Sequence, residues 1–190
     1  MKRNFRKQYW LIGTWFVLVI AVTFACQKEK YRISTSDEVN ITGYLEAHET
    51  DFSLLTEILY RSKTAGYLGA YGTYTLFAPN NESINTWIKA NGKAALSDFT
   101  DEQLLDFVKY HVVRDTVGST RFTDGKIKTA SLLGEFLYTD VQNGVYRINK
   151  SARIIRSNIS CGNGIIHSID KGLVPPAQSL AELIGTNPRY

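Results

Sequence analysis

The residues that could do chemistry in this chain are three histidines and the acidic side chains near them. His167 and Asp170 have the types that suit a metal ion, but they lie three apart in a predicted strand. Strand neighbours at that spacing point to opposite faces. The sequence also contains no His-Glu-x-x-His, no Gly-x-Ser-x-Gly and no glycine-rich phosphate loop. These features predict a protein that is not an enzyme and holds no metal or cofactor.

Two of the histidines fit structural roles better. His111 ends an apolar helical segment, and His167 shares one strand face with Ile165 and Ile169. We therefore expect both to be buried, neutral and hydrogen-bonded within the fold. Cys161 precedes a glycine-rich turn and is interpreted as a small packing residue, because no histidine lies near it in sequence.

The N-terminal segment predicts export and a lipid anchor. Basic residues precede an uncharged run from Gln8 to Ala25, which is the arrangement of a secretory signal. Cys26 follows directly and resembles the cysteine of a bacterial lipobox, which is acylated and becomes the new N-terminus. This predicts a signal at 1–25 and a tether at 26–39. A retained signal anchor is the alternative, because the run is almost long enough to span a membrane.

Charge and cysteine content exclude two further classes. Residues 1–25 hold four basic residues and no acidic ones, so the formal charge of +4 falls to zero once the signal is removed. A neutral domain has no basic stripe for nucleic acid, so nucleic-acid binding is not expected. With Cys26 acylated, Cys161 is the remaining cysteine of the two in the chain, and no intramolecular disulfide is expected.

The elements that would position these residues begin with helices. Helical spacing of apolar residues predicts helices after Asn40, after an N-cap at Asp51 and after an N-cap at Asn80. A capping box from Thr100 to Gln103 starts another helix. Between them, the glycine- and tyrosine-rich segment from Thr64 to Thr73 is predicted to be a loop.

The second half of the chain is predicted to form mainly strands. Tyr74 to Ala78 is a short apolar strand, which Pro79 should end because proline cannot continue a central strand. After Lys126 the hydrophobic period becomes two, and Asn143-Gly144 between alternating runs predicts a type I′ hairpin. Helices followed by strands predict an α+β domain.

Three blocks occur in order along this pattern: Thr75-Leu76-Phe77-Ala78-Pro79-Asn80, Tyr110-His111-Val112-Val113 and Asn163-Gly164-Ile165-Ile166-His167-Ser168-Ile169-Asp170. They resemble the two signatures and the Tyr-His motif of fasciclin (FAS1) domains, with the domain at 40–176. The resemblance implies a wedge of two β-sheets flanked by helices. Residues 177–190 would be a C-terminal helix or the start of a second repeat. The motif residues that the resemblance marks as structural are Thr75, Phe77, Pro79, Tyr110, His111, Asn163, Gly164, His167 and Asp170.

The resemblance also implies a function. It favours a non-catalytic, lipid-anchored module for cell-surface binding or adhesion, whose ligand is a surface protein, a matrix component or a glycan. The charged tract Gln27-Lys28-Glu29-Lys30 is similar to the surface-export signal of Bacteroidetes lipoproteins, which predicts an outer-membrane, surface-exposed location. A plain solvated tether is the alternative for this tract.

Candidate ligand contacts lie outside the three blocks. Tyr67 and Tyr71 could stack on sugar rings, which supports an alternative function as a glycan-capture lipoprotein beside an outer-membrane uptake system. The same aromatic rings could instead cover the core. Thr116 follows Asp115 and resembles an O-glycosylation acceptor of the same bacterial group, although an ordinary loop is the commoner meaning of so short a motif.

Overall fold

The computed structural model describes residues 39–70 and 72–176. In this part of the chain helices come first and strands follow, as an α+β class requires. Short 3₁₀ turns lie at Leu96–Asp98 and Ser119–Arg121. The helices are α1 (Ile41–Ala47), α2 (Glu49–Arg61), α3 (Ala65–Gly69), α4 (Asn81–Ala90) and α5 (Asp101–His111). The strands are β1 (Tyr74–Pro79), β2 (Val112–Val113), β3 (Gly125–Lys126), β4 (Tyr138–Gln142), β5 (Val145–Ile148), β6 (Ala152–Cys161) and β7 (Gly164–Ile169).

Two predictions for the first helices were wrong in detail. Helix α2 begins at Glu49, so Asp51 lies in its first turn and is not its N-cap. Its backbone is non-helical at Phe52 (φ −132°, ψ 15°), so the helix has a kink at the point where the sequence predicted that it begins. The segment predicted to be a loop contains α3, whose Leu68 is completely buried. Burial of that leucine offsets the low helix propensity of the glycines around it.

Strand β1 runs one residue further than predicted. It includes Pro79, which pairs with Ile169 of the parallel strand β7. On the other side of β1 the pairing with β2 stops at Leu76, so the missing N–H of Pro79 removes no hydrogen bond to β2. Asn80 then caps α4 as predicted, because its side-chain oxygen accepts from the Ser83 N–H at 2.9 Å.

The capping box of α5 and the β4–β5 hairpin are both confirmed. The Thr100 hydroxyl accepts from the Gln103 N–H at 3.2 Å, and the Gln103 side chain accepts from the Thr100 N–H at 3.0 Å. Asn143 and Gly144 both have positive φ, 52° and 76°, which a type I′ turn requires. Local chemistry of this kind acts within a few residues and can be read from sequence.

The seven strands form one sheet rather than the expected wedge of two. Its order is β2-β1-β7-β6-β5-β4-β3, and each neighbouring pair is hydrogen-bonded. The reason is strand β6, whose first residues pair with β5 while the rest pair with β7. This long strand, with register shifts between Ile154 and Ile159, joins the two groups of strands that the wedge would separate.

Two apolar clusters lie on the sheet. One joins the helices to strands β1 and β7 and includes Leu45, Leu59 and Ile166. The other includes Phe77, Leu137 and Ile169 from the opposite sheet face of β1 and β7 and from the second half of the chain. Within the described ranges, no helix is long and apolar enough to cross a membrane.

Candidate functional site

His111 lies at the end of α5 and is completely buried. Its Nδ1 lies 2.7 Å from the Phe107 carbonyl oxygen, and its Nε2 lies 2.8 Å from the Leu173 backbone nitrogen. A carbonyl can only accept and an N–H can only donate, so the proton must be on Nδ1. Burial lowers the pKa of His111 to about 4, against a smaller opposing effect of the bond to Phe107.

His167 on β7 is also completely buried, but in the opposite tautomer. Its Nε2 donates to the Val117 carbonyl at 2.9 Å, and its Nδ1 accepts from the Asn158 N–H at 3.4 Å. The ring stacks on Phe77 with centroids 5.5 Å apart. Burial is again the main cause that lowers the pKa of His167. Both histidines are therefore neutral near pH 7, with both ring nitrogens bonded to the backbone.

Thr75 holds the same loop as His167. Its hydroxyl donates to the Asp115 carbonyl at 2.6 Å and accepts from the Val117 N–H at 2.8 Å. The N–H and the C=O of Val117 are thus bonded to Thr75 and His167, one residue from each signature block. The two blocks, which are far apart in sequence, thus meet in space at the buried backbone of Val117.

Asn163 and Gly164 connect the β6–β7 turn to the start of α1, to the α3 segment and to strand β1. The Asn163 side-chain oxygen accepts from the Ile41 N–H at 2.9 Å, and its amide nitrogen donates to the carbonyls of Leu68 and Ala70. At Gly164 a Cβ would come within 2.0 Å of the Tyr74 carbonyl oxygen, so only glycine fits there. These two residues set how closely β1 approaches the β6–β7 turn.

Asp170 and Tyr110 also have their partners within the fold. Asp170 accepts from the Arg153 N–H at 2.7 Å and forms an ion pair with the Arg153 guanidinium at 3.3 Å. The buried Tyr110 hydroxyl accepts from the Asn149 side-chain amide at 2.8 Å. Within 39–70 and 72–176, no three His, Cys, Asp or Glu side chains are close enough to hold a metal ion.

The predicted ligand residues are dispersed. Tyr67 is 40% exposed on α3 and its ring packs against Tyr74, 5.1 Å between centroids. Thr116 is half-buried, and its carbonyl accepts from the Arg121 guanidinium at 2.8 Å. Cys26 and Tyr71, like the segment 177–190, lie outside the described residues.

A groove of ≈ 300 Å³ that the sequence reasoning missed lies at the start of β4. We call it the aromatic groove. Phe136 and Tyr138 line it with solvent-exposed rings, while Leu137 between them is completely buried. The signal was present in the sequence, because residues 136 and 138 share a face that alternation assigns to solvent. The other lining residues are Tyr110, Asn149, Lys150, Val174 and Pro176.

The chain is similar to known proteins over most of this fold. The fasciclin domain family matches residues 50–175. Protein sll1483 of Synechocystis sp. is 29% identical over 143 residues, which cover 75% of this chain and 77% of that protein. Human periostin is 27% identical over 155 residues, or 81% of this chain, but the chain spans only 18% of periostin.

A solved structure has the same fold. It is a FAS1 domain pair from the insect cell adhesion molecule Fasciclin I, with a TM-score of 0.52 at 17% identity. The match covers 72% of this chain and 49% of the other. The family match extends over all three sequence blocks, whose side chains meet as described above. On this evidence the chain belongs to the fasciclin domain family.

Proposed function

We propose that this chain is a non-catalytic module that binds a protein or matrix partner at a cell surface. The observation that carries the proposal is that both buried imidazoles use both ring nitrogens to hold backbone. Fasciclin domains are typical of adhesion modules and are generally non-catalytic. A scaffold that uses its polar side chains internally leaves ligand contacts to its exposed loops and edges.

Adhesion can be tested with cells that produce the full chain and isogenic cells that lack it. Under flow, producing cells should remain on a surface coated with cell-envelope proteins, and protease treatment of the coat should abolish that retention. Equal retention of the two strains would contradict the proposal. Retention that survives protease and is lost after glycosidase treatment would support the glycan-capture alternative instead.

The lipid anchor at Cys26 is part of the same proposal. The basic segment and uncharged run before Cys26 support it, and acylation would hold the protein at a membrane. Cys26→Ser should move the protein from the membrane fraction to the soluble or uncleaved form. An intact mass that begins at unmodified Met1 in the membrane fraction would instead identify a signal anchor.

Glycan capture is the alternative function, and the exposure of Tyr67 supports it. Tyr67→Ala should then weaken capture of oligosaccharides while the melting temperature stays nearly unchanged, since the ring is partly in solvent.

The name of a relative suggests a catalytic function instead. A Plasmodium falciparum protein named heme ligase is 28% identical over 123 residues. Turnover of haem, or of any glycan or peptide, by the purified chain would refute the non-catalytic proposal.

A further inference from the structure

The aromatic groove gathers exposed apolar side chains in one place. Tyr138 is 51% exposed and Val174 is 67% exposed, and both line the groove with Phe136. Apolar side chains that are exposed singly need no explanation, but several around one cavity mark an interaction site. The volume of ≈ 300 Å³ is at the small end of ligand sites, so the groove suits one or two side chains.

The Asn149 side chain at the base of the groove already bonds within the fold. The Asn149 amide nitrogen donates to the Tyr110 hydroxyl, and the Asn149 side-chain oxygen accepts from the Tyr138 N–H at 3.0 Å. One face of the Phe136 ring is covered by the Lys126 ammonium, 4.0 Å from the ring centroid. A sugar needs several hydrogen-bonding groups around its hydroxyls. The groove therefore suits an apolar side chain better than a glycan.

The rim of the groove is positively charged. Lys150 lines the groove, and Lys126 lies directly opposite Tyr138 in the β3–β4 pairing. Among the residues that the structure describes, neither ammonium lies within 4.0 Å of a carboxylate. Glu135 is the opposing charge near the groove. Burial is the main cause that raises the pKa of Tyr110, and the negative charge of Glu135 raises it further. Two cations against one anion favour a partner with a carboxylate.

The groove is held in place by the buried network. The Leu173 N–H donates to His111, and the Leu173 side chain is buried in the core. The next residue, Val174, is therefore fixed at the edge of the groove. Tyr138 is fixed by a reciprocal pair of bonds, because the Asn149 N–H also donates to the Tyr138 carbonyl at 2.7 Å. A site that is formed before binding loses little conformational entropy when a ligand enters.

We propose that the aromatic groove binds a segment of a partner protein in which an apolar side chain lies next to a carboxylate. The apolar side chain packs between Tyr138 and Val174, and the carboxylate meets Lys150. This arrangement, an apolar centre with a charged rim and a tyrosine anchor, is the usual anatomy of a protein-binding site. The inference rests on the proposed function and names the partner chemistry that the function requires.

The test uses the purified full-length chain in lipid nanodiscs, with empty nanodiscs as background. The probe is an array of acetylated hexapeptides that pair each apolar residue with aspartate or glutamate. A second array carries lysine in place of the acid, and a third carries serine in place of the apolar residue. The first array should capture the chain, and the other two should not. Equal capture by the lysine array, or no capture above background, would overturn the proposal.

Variants then locate the binding. For a captured peptide, Tyr138→Ala should weaken the affinity by about tenfold or more. Lys150→Gln should weaken it by about threefold at low salt and less at high salt. The matched controls are Tyr60→Ala and Lys89→Gln, which change exposed residues away from the groove and should leave the affinity unchanged. Equal effects of Tyr138→Ala and Tyr60→Ala would overturn the assignment.

The two proposals fail in different ways. If the adhesion proposal is wrong, cells with the unaltered chain adhere no better than cells without it. If adhesion is real but the groove is not its site, cells with Tyr138→Ala adhere as well as cells with the unaltered chain. Capture of an acidic polysaccharide that depends on Tyr138, without capture of any peptide, would overturn the peptide inference.

Discussion

Replacing His111 by phenylalanine removes two buried hydrogen bonds and keeps an aromatic ring, larger than imidazole, at the position. The carbonyl of Phe107 loses its Nδ1–H donor, and the N–H of Leu173 loses its Nε2 acceptor. Each buried group left without a partner costs about 1–3 kcal/mol. We expect His111→Phe to lower the free energy of unfolding by about 2–6 kcal/mol, which is the sum over these two groups.

Alanine at the same position separates hydrogen bonding from packing. His111→Ala orphans the same two groups and adds a cavity beside the Phe107 ring, whose centroid lies 4.1 Å from that of the imidazole. The cavity should cost about 1–3 kcal/mol more. His48→Ala is the matched control, because His48 makes the same bond four residues back, Nδ1 to the Tyr44 carbonyl at 2.8 Å, but in an exposed place. It should cost less than about 1 kcal/mol.

The assay is urea unfolding of residues 34–190, followed by circular dichroism. His111→Phe should lower the urea midpoint, and His111→Ala should lower it further. His48→Ala should leave the midpoint nearly unchanged. Equal midpoints for the three variants would refute the structural role. If the His111 variants keep the stability of the unaltered chain but lose partner binding, His111 serves binding rather than stability.

The pH dependence of stability gives an independent check on His111. Its folded pKa of about 4 lies below the ordinary value of 6.5, so the unfolded chain binds more protons between these pH values. Stability should therefore rise with pH from 4 to 6.5 and stay flat above that range as far as this group is concerned. The contribution is about 3 kcal/mol, at 1.36 kcal/mol per unit of pKa. The slope should be smaller in His111→Phe.

Three further substitutions test the contacts of the sequence blocks by the same unfolding assay. Gly164→Ala should lower stability by about 2 kcal/mol or more because its Cβ meets the Tyr74 carbonyl oxygen, whereas Gly66→Ala, with nothing within 4 Å, should not lower it. Thr75→Val should cost about 1–3 kcal/mol, since a methyl group cannot accept from the buried Val117 N–H. Asn163→Asp should cost at least as much, because a carboxylate cannot donate to the carbonyls of Leu68 and Ala70. A native midpoint in Gly164→Ala, Thr75→Val or Asn163→Asp would contradict the corresponding contact.

Much of the local structure could be predicted from sequence because its causes act within a few residues. The capping box at Thr100, the cap at Asn80 and the Asn143-Gly144 hairpin each depend on groups three or four positions apart. The expected burial of His111 and His167 is confirmed for the same reason, since apolar neighbours at strand or helix spacing surround each of them. The family could likewise be inferred from three short blocks.

The errors arise where distant parts of the chain meet. Pro79 stays in a strand because β2 ends before it, and α3 forms because Leu68 is buried beneath it. The single sheet depends on β6 pairing with strands on both of its sides. None of these contacts is visible in local propensity, which a few kcal/mol of tertiary burial can outweigh.

By itself, the sequence determined the family through its three blocks. It also determined most of the helical and extended segments and the burial of the two histidines, because spacing and capping are local. Only the tertiary structure decided which ring nitrogen carries the proton in each histidine, since the partners Leu173 and Val117 are 62 and 50 residues away. The aromatic groove likewise forms only when the start of β4, the end of β5 and the segment after β7 come together in space.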